Sequence, residues 1–226
     1  MIDNLCCFIS TFKQRKYFID HFVHYYRTSG LSCPLYVFSD EEDRTSDDMV
    51  IHIKDNYSSN ADHLGRVPEW GHRLKDAISF LKKKYDYAIF SVDDGLFIDI
   101  DTKRFSDIFK KFKLHGGDYF SLQHDFKNAL DYDKIDDDFL LMEKKNLTYY
   151  VTHQTSLWKL DSLDKITEYD DIACDHEGLG FSRIVKNNIN LHCYDGNRIF
   201  DSVGICHWQH GIDDRFKKYL MENFND

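Results

Sequence analysis

The chain is poor in the residues that interrupt a fold. It has two prolines and 11 glycines in 226 residues, none gathered into a Pro-rich or Gly/Ser-rich stretch. No flexible linker is therefore expected, and one compact domain is. No apolar run approaches the length needed to cross a bilayer. The opening MIDNLCCFISTF has an acid at position three and no basic n-region, so an export signal is not expected. Cys6, Cys7, Cys33, Cys174, Cys193 and Cys206 form no CxxC pair and no regular framework. They read as free thiols in a reducing, cytoplasmic compartment, where the sequon Asn146-Leu147-Thr148 would stay unmodified. Cations are in deficit too: 29 Lys and Arg face 39 Asp and Glu, a net charge of −10. That balance excludes a broad nucleic-acid surface, which needs clustered cations. It leaves room for a small phosphate-bearing ligand, which a metal ion or a few local cations can hold.

What is present is aromatic and apolar. The 18 Phe and 14 Tyr lift the hydrophobic fraction to 42%, enough for an ordinary core and incompatible with wholesale disorder. The first half alternates strand-like and helix-like segments. Leu5–Ser10 reads as a buried strand. A helix from about Gln14 to Thr28 carries Phe18, Phe22, Tyr25 and Tyr26 on one face and stops at Gly30. Leu35–Phe38 and Val50–Ile53 read as further strands. The second half is more mixed: strands at Tyr119–Leu122, Tyr149–Thr152 and Asn190–Tyr194, a helix near Glu177–Lys186, a strand-like tail over Ile199–Ile212, and a last helix over Asp213–Phe224. No internal repeat is visible. The pattern predicts an α/β fold whose residues 1–100 form a Rossmann-like half and whose residues 101–226 form a less regular one.

The most informative segment is WGHRLKDAISFLKKKYDYAIFSVDDGLFI, residues 70–98. Trp70, Leu74, Ala77, Ile78 and Leu81 recur at helical spacing, with Lys75, Lys82 and Lys83 opposite. The apolar run Tyr87–Phe90 then delivers Asp93 and Asp94 at a strand's carboxyl end, where open α/β sheets bind ligands. Two carboxylates there can hold a divalent cation that holds phosphate oxygens. Asp-Asp-Gly after a strand is also an ordinary turn. The acidic runs Asp40–Asp48 and Asp131–Asp138 read as solvated loops. The second fails as a calcium loop, because Ile135 takes a ligand position, Asp136 stands where the turn glycine belongs, and Met142 replaces the bidentate Glu.

These elements, in this order, resemble GT-A nucleotide-sugar glycosyltransferases. The resemblance rests on a first strand ending in Ser10-Thr11, a second ending in Ser39-Asp40, the WxxRLxxAI helix at Trp70–Ile78, and Tyr-Ala-Ile-Phe-Ser-Val-Asp-Asp at 87–94. It continues with Gln154-Thr-Ser-Leu157-Trp158-Lys159 through Leu163, similar to a Q-x-x-L-W-[KR]-x-x-x-L stretch of bacterial surface-polysaccharide transferases, and with Asp175-His176-Glu177. It implies a single GT-A domain with a central mixed, mostly parallel sheet flanked by helices. It implies a nucleotide-sugar donor and a saccharide acceptor, with peripheral contact to the inner face of a membrane compatible with both. Asp93 and Asp94 would hold Mn²⁺ or Mg²⁺, although Gly95 stands where the usual D-x-D spacing has its second acid. Ser10, Thr11 and Asp40 would surround the donor base and ribose. Arg73 would face the diphosphate, its plainer alternative being a solvated helical arginine. Glu177 would be the general base, followed by Asp175, which could equally be a helix N-cap. His207 or His210 would complete the metal site, as neutral imidazole suits Mn²⁺. Trp70 and Trp158 read as core anchors, and Trp208 reads as buried or as a sugar-stacking face. A catalytically silent sugar-nucleotide or glycan-binding module on the same scaffold is the alternative of a different class. A nucleotidyltransferase ranks last, for want of a Gly-rich phosphate loop at Ser10–Arg15.

Overall fold

The computed structural model describes residues 3–11, 16–40, 46–57, 67, 69–92, 95–122, 132–135, 139–142, 155–194, 200–204, 206–207 and 211–212. The elements are, in order, β1 (Leu5–Ser10), α1 (Lys16–Thr28), β2 (Leu35–Ser39), β3 (Val50–Lys54), α2 (Trp70–Leu81), β4 (Tyr87–Ser91), β5 (Gly95–Ile100) and α3 (Thr102–Leu114). They continue with β6 (Tyr119–Ser121), β7 (Tyr132–Lys134), β8 (Phe139–Met142), β9 (Ser156–Lys159), α4 (Leu160–Ile166) and α5 (Ala173–Lys186). The last are β10 (Leu191–Tyr194), β11 (Phe200–Gly204), β12 (Cys206–His207) and β13 (Gly211–Ile212).

Nine strands form one mixed sheet in the order β3-β2-β1-β4-β9-β6-β10-β8-β7. β3, β2, β1 and β4 run parallel, β9 is antiparallel to both β4 and β6, and β10 returns parallel to β6. This is the expected α/β sheet, with its parallel part near the core. β5 and β11 make a separate antiparallel ribbon.

The parallel strands read as unbroken apolar runs because both their faces are covered. Successive side chains point to opposite faces. In β1, Leu5, Cys7 and Ile9 meet α1 and α3, while Cys6 and Phe8 meet α2 and the α4–α5 pair. β2 and β4 divide the same way: Leu35, Val37 and Ile89 on the first face, Tyr36, Phe38, Ala88 and Phe90 on the second. Trp158 is buried against Tyr119, as a core anchor should be. α1 ends where expected, with Gly30 at φ +77 supplying the left-handed residue that terminates it.

Several elements depart from the sequence reading; β5, β8, β9 and α4 were not expected. α3 was not expected, yet its Phe105, Ile108, Phe109 and Phe112 follow an i, i+3, i+4, i+7 stripe and are all buried. At about 2 kcal/mol for each buried side chain, that stripe is a major contributor to the first core face. Asp101 caps α3 by accepting from the Arg104 amide at 2.9 Å. α5 starts at Ala173, ahead of the expected Glu177, so Ile172 is the N-cap and Asp175 lies inside the first turn. The N-cap alternative for Asp175 is therefore corrected. The acidic run at 131–138 contains β7, the edge strand of the sheet, with Asp133 and Lys134 exposed. The expected strand at 149–152 and the last helix at 213–224 lie outside the described residues.

Candidate active site

The parallel strands converge on one rim at their carboxyl ends, and four of them end in a serine. Ser10 closes β1, Ser39 closes β2, Ser91 closes β4 and Ser121 closes β6; Ser156 opens the antiparallel β9 at the same level. The register confirms the alignment. Ser91 pairs with Ile9, and Ser156 pairs with both Phe90 and Ser121. Ser91 and Thr155 share a buried hydrogen bond of 2.9 Å between their hydroxyls, and Trp158 Nε1 donates to Ser156 Oγ at 3.0 Å. The sequence reading missed Ser91, Thr155 and Ser156. Their signal was a serine at the same end of successive apolar runs.

Arg73 organises the β1–β3 part of this rim. It sits on α2 with its side chain only 1% exposed, so the solvated alternative does not hold. Its Nη1 donates to the Thr11 carbonyl at 2.5 Å, and Nη2 donates to Asp55 Oδ1 at 2.8 Å and to the Tyr57 carbonyl at 3.3 Å. Nε lies 2.7 Å from Asp55 Oδ2. The Asp55 amide in turn donates to the Ser39 carbonyl at 2.8 Å, and the Thr11 amide to the Phe38 carbonyl at 2.9 Å. One guanidinium thus ties together the ends of β1, β2 and β3. Burial raises the Asp55 carboxyl above its ordinary range, opposed by the pull of Arg73. A charge pair in this position contributes little over an apolar substitute, but losing one partner would strand the other at a cost of about 3–5 kcal/mol.

Beside this clamp, between the ends of β2 and β3 and the flank of α2, lies a cavity of about 360 Å³ lined by residues including Phe38, Ile53, Asn56, Tyr57 and Asp76. A larger polar cleft of about 430 Å³, lined by Lys82, Asp86, Lys159 and Asp161, opens at the amino end of β4, remote from the rim.

Ser10 and Asp40 are half-buried on the rim, and Thr11 is buried beneath it. Asp93, Asp94 and His210 lie outside the described residues; the chain leaves β4 through Val92 and re-enters at Gly95 of β5. His207 belongs to β12, paired with Gly211. Among the described residues no group of three potential metal ligands assembles.

α5 brings the two candidate bases to the second core face. Asp175 is exposed and Glu177 half-buried, while His176 between them points inward. The His176 ring packs 5.1 Å from Trp70, and its Nε2 lies 3.1 Å from Thr167 Oγ1. Burial, aided by Arg183, pushes its pKa down to about 3. His192, buried against Phe139 and Phe112, is lowered by burial to about 4. Both are neutral in the fold, whereas the unfolded chain protonates them below the ordinary value near 6.5. Their contribution to stability is therefore complete above pH 6.5 and is lost as pH falls toward 4 and then 3. His176 alone accounts for a loss of roughly 4 kcal/mol at the acid end. Denaturant melts between pH 8 and pH 4 should show falling stability, and His176→Gln should flatten that slope; an unchanged slope would remove His176 as the cause.

No family model matches the sequence, and no curated protein does. Solved structures do. S. aureus TarS residues 1–349 superpose with a TM-score of 0.57 at 11% identity, over 87% of this chain and 59% of that one. The same protein in complex with UDP-GlcNAc gives 0.56 at 11% identity, over 87% and 57%. The catalytic domain of Drosophila beta1,4galactosyltransferase 7, complexed with xylobiose, gives 0.45 at 11% identity, over 99% and 81%. The chain thus spans less than two thirds of the TarS chains it matches. With parallel strands converging on a polar rim and the TarS likeness covering most of its length, the chain has the GT-A glycosyltransferase fold.

Proposed function

We propose that the protein is a glycosyltransferase that moves a sugar from a nucleoside-diphosphate donor to a saccharide acceptor. The observation that carries this reading is the fold shared with a protein solved with UDP-GlcNAc, in a chain whose sequence has an acid pair two residues after β4. Ser10, Thr11 and Asp40 border the nucleoside, with Arg73 holding the strand ends that shape its pocket. The carboxylates of Asp93 and Asp94 are the hard oxygen donors that Mn²⁺ or Mg²⁺ prefers, and His207 or His210 is a suitable further ligand. When bound, the ion would offset charge on the departing nucleoside diphosphate. Glu177 takes the proton from the acceptor hydroxyl as that oxygen attacks the anomeric carbon in an inverting course.

Cys6, Cys7 and Cys33 are buried thiols among the described residues, and no described helix is long and apolar enough to cross a membrane. The proposed setting is the cytoplasm, in peripheral contact with a membrane surface. A thermal-shift panel of UDP-, GDP-, CMP- and dTDP-sugars with and without Mn²⁺ tests the reading. A cognate donor at a hundred times its Kd should add about 2.7 kcal/mol of stability, and that donor should then be hydrolysed or transferred. Stabilisation with no turnover against any saccharide would instead identify the silent binding module. No stabilisation by any member would overturn both.

A further inference from the structure

We propose that Asp171 is a positioning residue, which locks the first turn of α5, and Glu177 with it, onto the donor end of α2. The part concerning Glu177 rests on the function proposed above; the lock itself rests on geometry alone.

Asp171 sits in the turn between α4 and α5 and is only 3% exposed, an unusual place for a carboxylate unless it is held. Arg183 of α5 grips it with a two-pronged contact, Nη1 to Oδ2 at 2.5 Å and Nη2 to Oδ1 at 2.7 Å. The Glu168 amide donates to Oδ2 at 2.8 Å, closing the turn on itself. Arg183 Nη1 also donates to the Ile166 carbonyl at the end of α4, at 2.8 Å. A fork of this kind fixes orientation as well as distance.

The turn so held docks on α2 through the backbone. The Gly71 amide donates to the Asp171 carbonyl at 2.8 Å. One residue earlier Trp70 packs on His176, and two residues later Arg73 holds the ends of β1 and β3. Contacts thus run unbroken from the rim through α2 and Asp171 to the turn that bears Asp175 and Glu177. A carboxylate acting as general base must lie within hydrogen-bond reach of the acceptor hydroxyl, so small displacements of that turn are costly to the rate.

The experiment combines amide hydrogen exchange with turnover of the best donor from the nucleotide-sugar panel, for Asp171→Asn, Arg183→Lys, Glu177→Gln and Asp171→Asn/Glu177→Gln. Arg183→Lys keeps the charge and loses the fork, which guards against a variant that simply fails to fold. Exchange over residues 173–178 should rise about tenfold or more in both single variants of the lock, with β1 and β4 amides unchanged. Glu177→Gln should lose about 10²–10⁴ in turnover. Asp171→Asn should lose about tenfold or more with donor Kd within about twofold, and the double variant should be no slower than Glu177→Gln alone, because both act through one group. Unchanged exchange over 173–178 overturns the lock, as does a double variant whose losses multiply. If exchange rises while Glu177→Gln keeps full turnover, the lock stands and the base assignment fails, passing to Asp175.

Discussion

Asp94→Asn is expected to abolish sugar transfer and leave the fold intact. The substitution nearly preserves shape and removes the charge, so it separates packing from electrostatics. In sequence Asp94 comes three residues after Ser91, the last residue of a strand buried on both faces. If Asp93 and Asp94 answer a metal-bridged diphosphate, the lost stabilisation is several kcal/mol. About 4 kcal/mol corresponds to roughly a thousandfold in rate. Melting temperature without donor should match that of the parent, while the Mn²⁺-dependent rise with donor should disappear. Full turnover of the variant in EDTA-treated buffer would end the metal reading and move attention to cations supplied by side chains.

Gly71→Ala is expected to destabilise the fold strongly. A Cβ at this position would stand 2.6 Å from the Tyr169 carbonyl oxygen and 2.8 Å from the Asp171 nitrogen, with the Glu168 carbonyl closer still. All three are backbone atoms and cannot swing aside as a side-chain tip would. The turn must therefore retreat, losing the Gly71–Asp171 hydrogen bond and loosening Trp70 against His176. Overpacking of this sort costs about 1–3 kcal/mol, and the lost bond about 1 more. For a chain of this size each kcal/mol lowers Tm by about 2–4 °C, so the total of about 2–4 kcal/mol predicts a drop of roughly 4–16 °C. Gly178 provides the contrast. It lies inside α5, and a methyl added there would meet nothing within 4 Å, so Gly178→Ala should raise helix stability by about 1 kcal/mol. Equal melting temperatures for the two alanine variants would refute the close-packing argument.

Much of the donor half was legible because burial on two faces writes itself into the chain as continuous apolar runs. β1, β2 and β4 emerged with nearly their observed bounds, and α2 with its inward stripe. Arg73 was half-legible. It lies three residues after Trp70 and four before Ala77, on the side of that stripe, but its charge left a solvated reading open; its partner Asp55 was not legible, since nothing local links them. α3 carried a stripe of three phenylalanines and an isoleucine and an aspartate cap in its sequence, yet was not read as a helix. The Gly71–Asp171 approach joins residues a hundred positions apart, and a lone glycine in a helix gives no hint of what comes near it. The serine rim was visible only once the register aligned five strand ends. Asp93, Asp94 and His210 lie outside the described residues, and their proposed roles, like that of His207, rest on chemistry and sequence order alone; Glu177 has a described place in α5.

The strand order has a consequence for how the protein is made. β4 receives β1 on one edge early, but its other edge is closed only by β9, which does not begin until Ser156. Until residues 156–159 are available, the half-built sheet ends in an unpaired strand of Tyr-Ala-Ile-Phe-Ser, a short apolar template for any other strand it meets. Synthesis from the amino end therefore passes through an interval in which one edge of β4 has no strand beside it. Truncated chains that stop short of β9 would inherit that sticky edge permanently, and crowding or slow translation across 92–155 would prolong it.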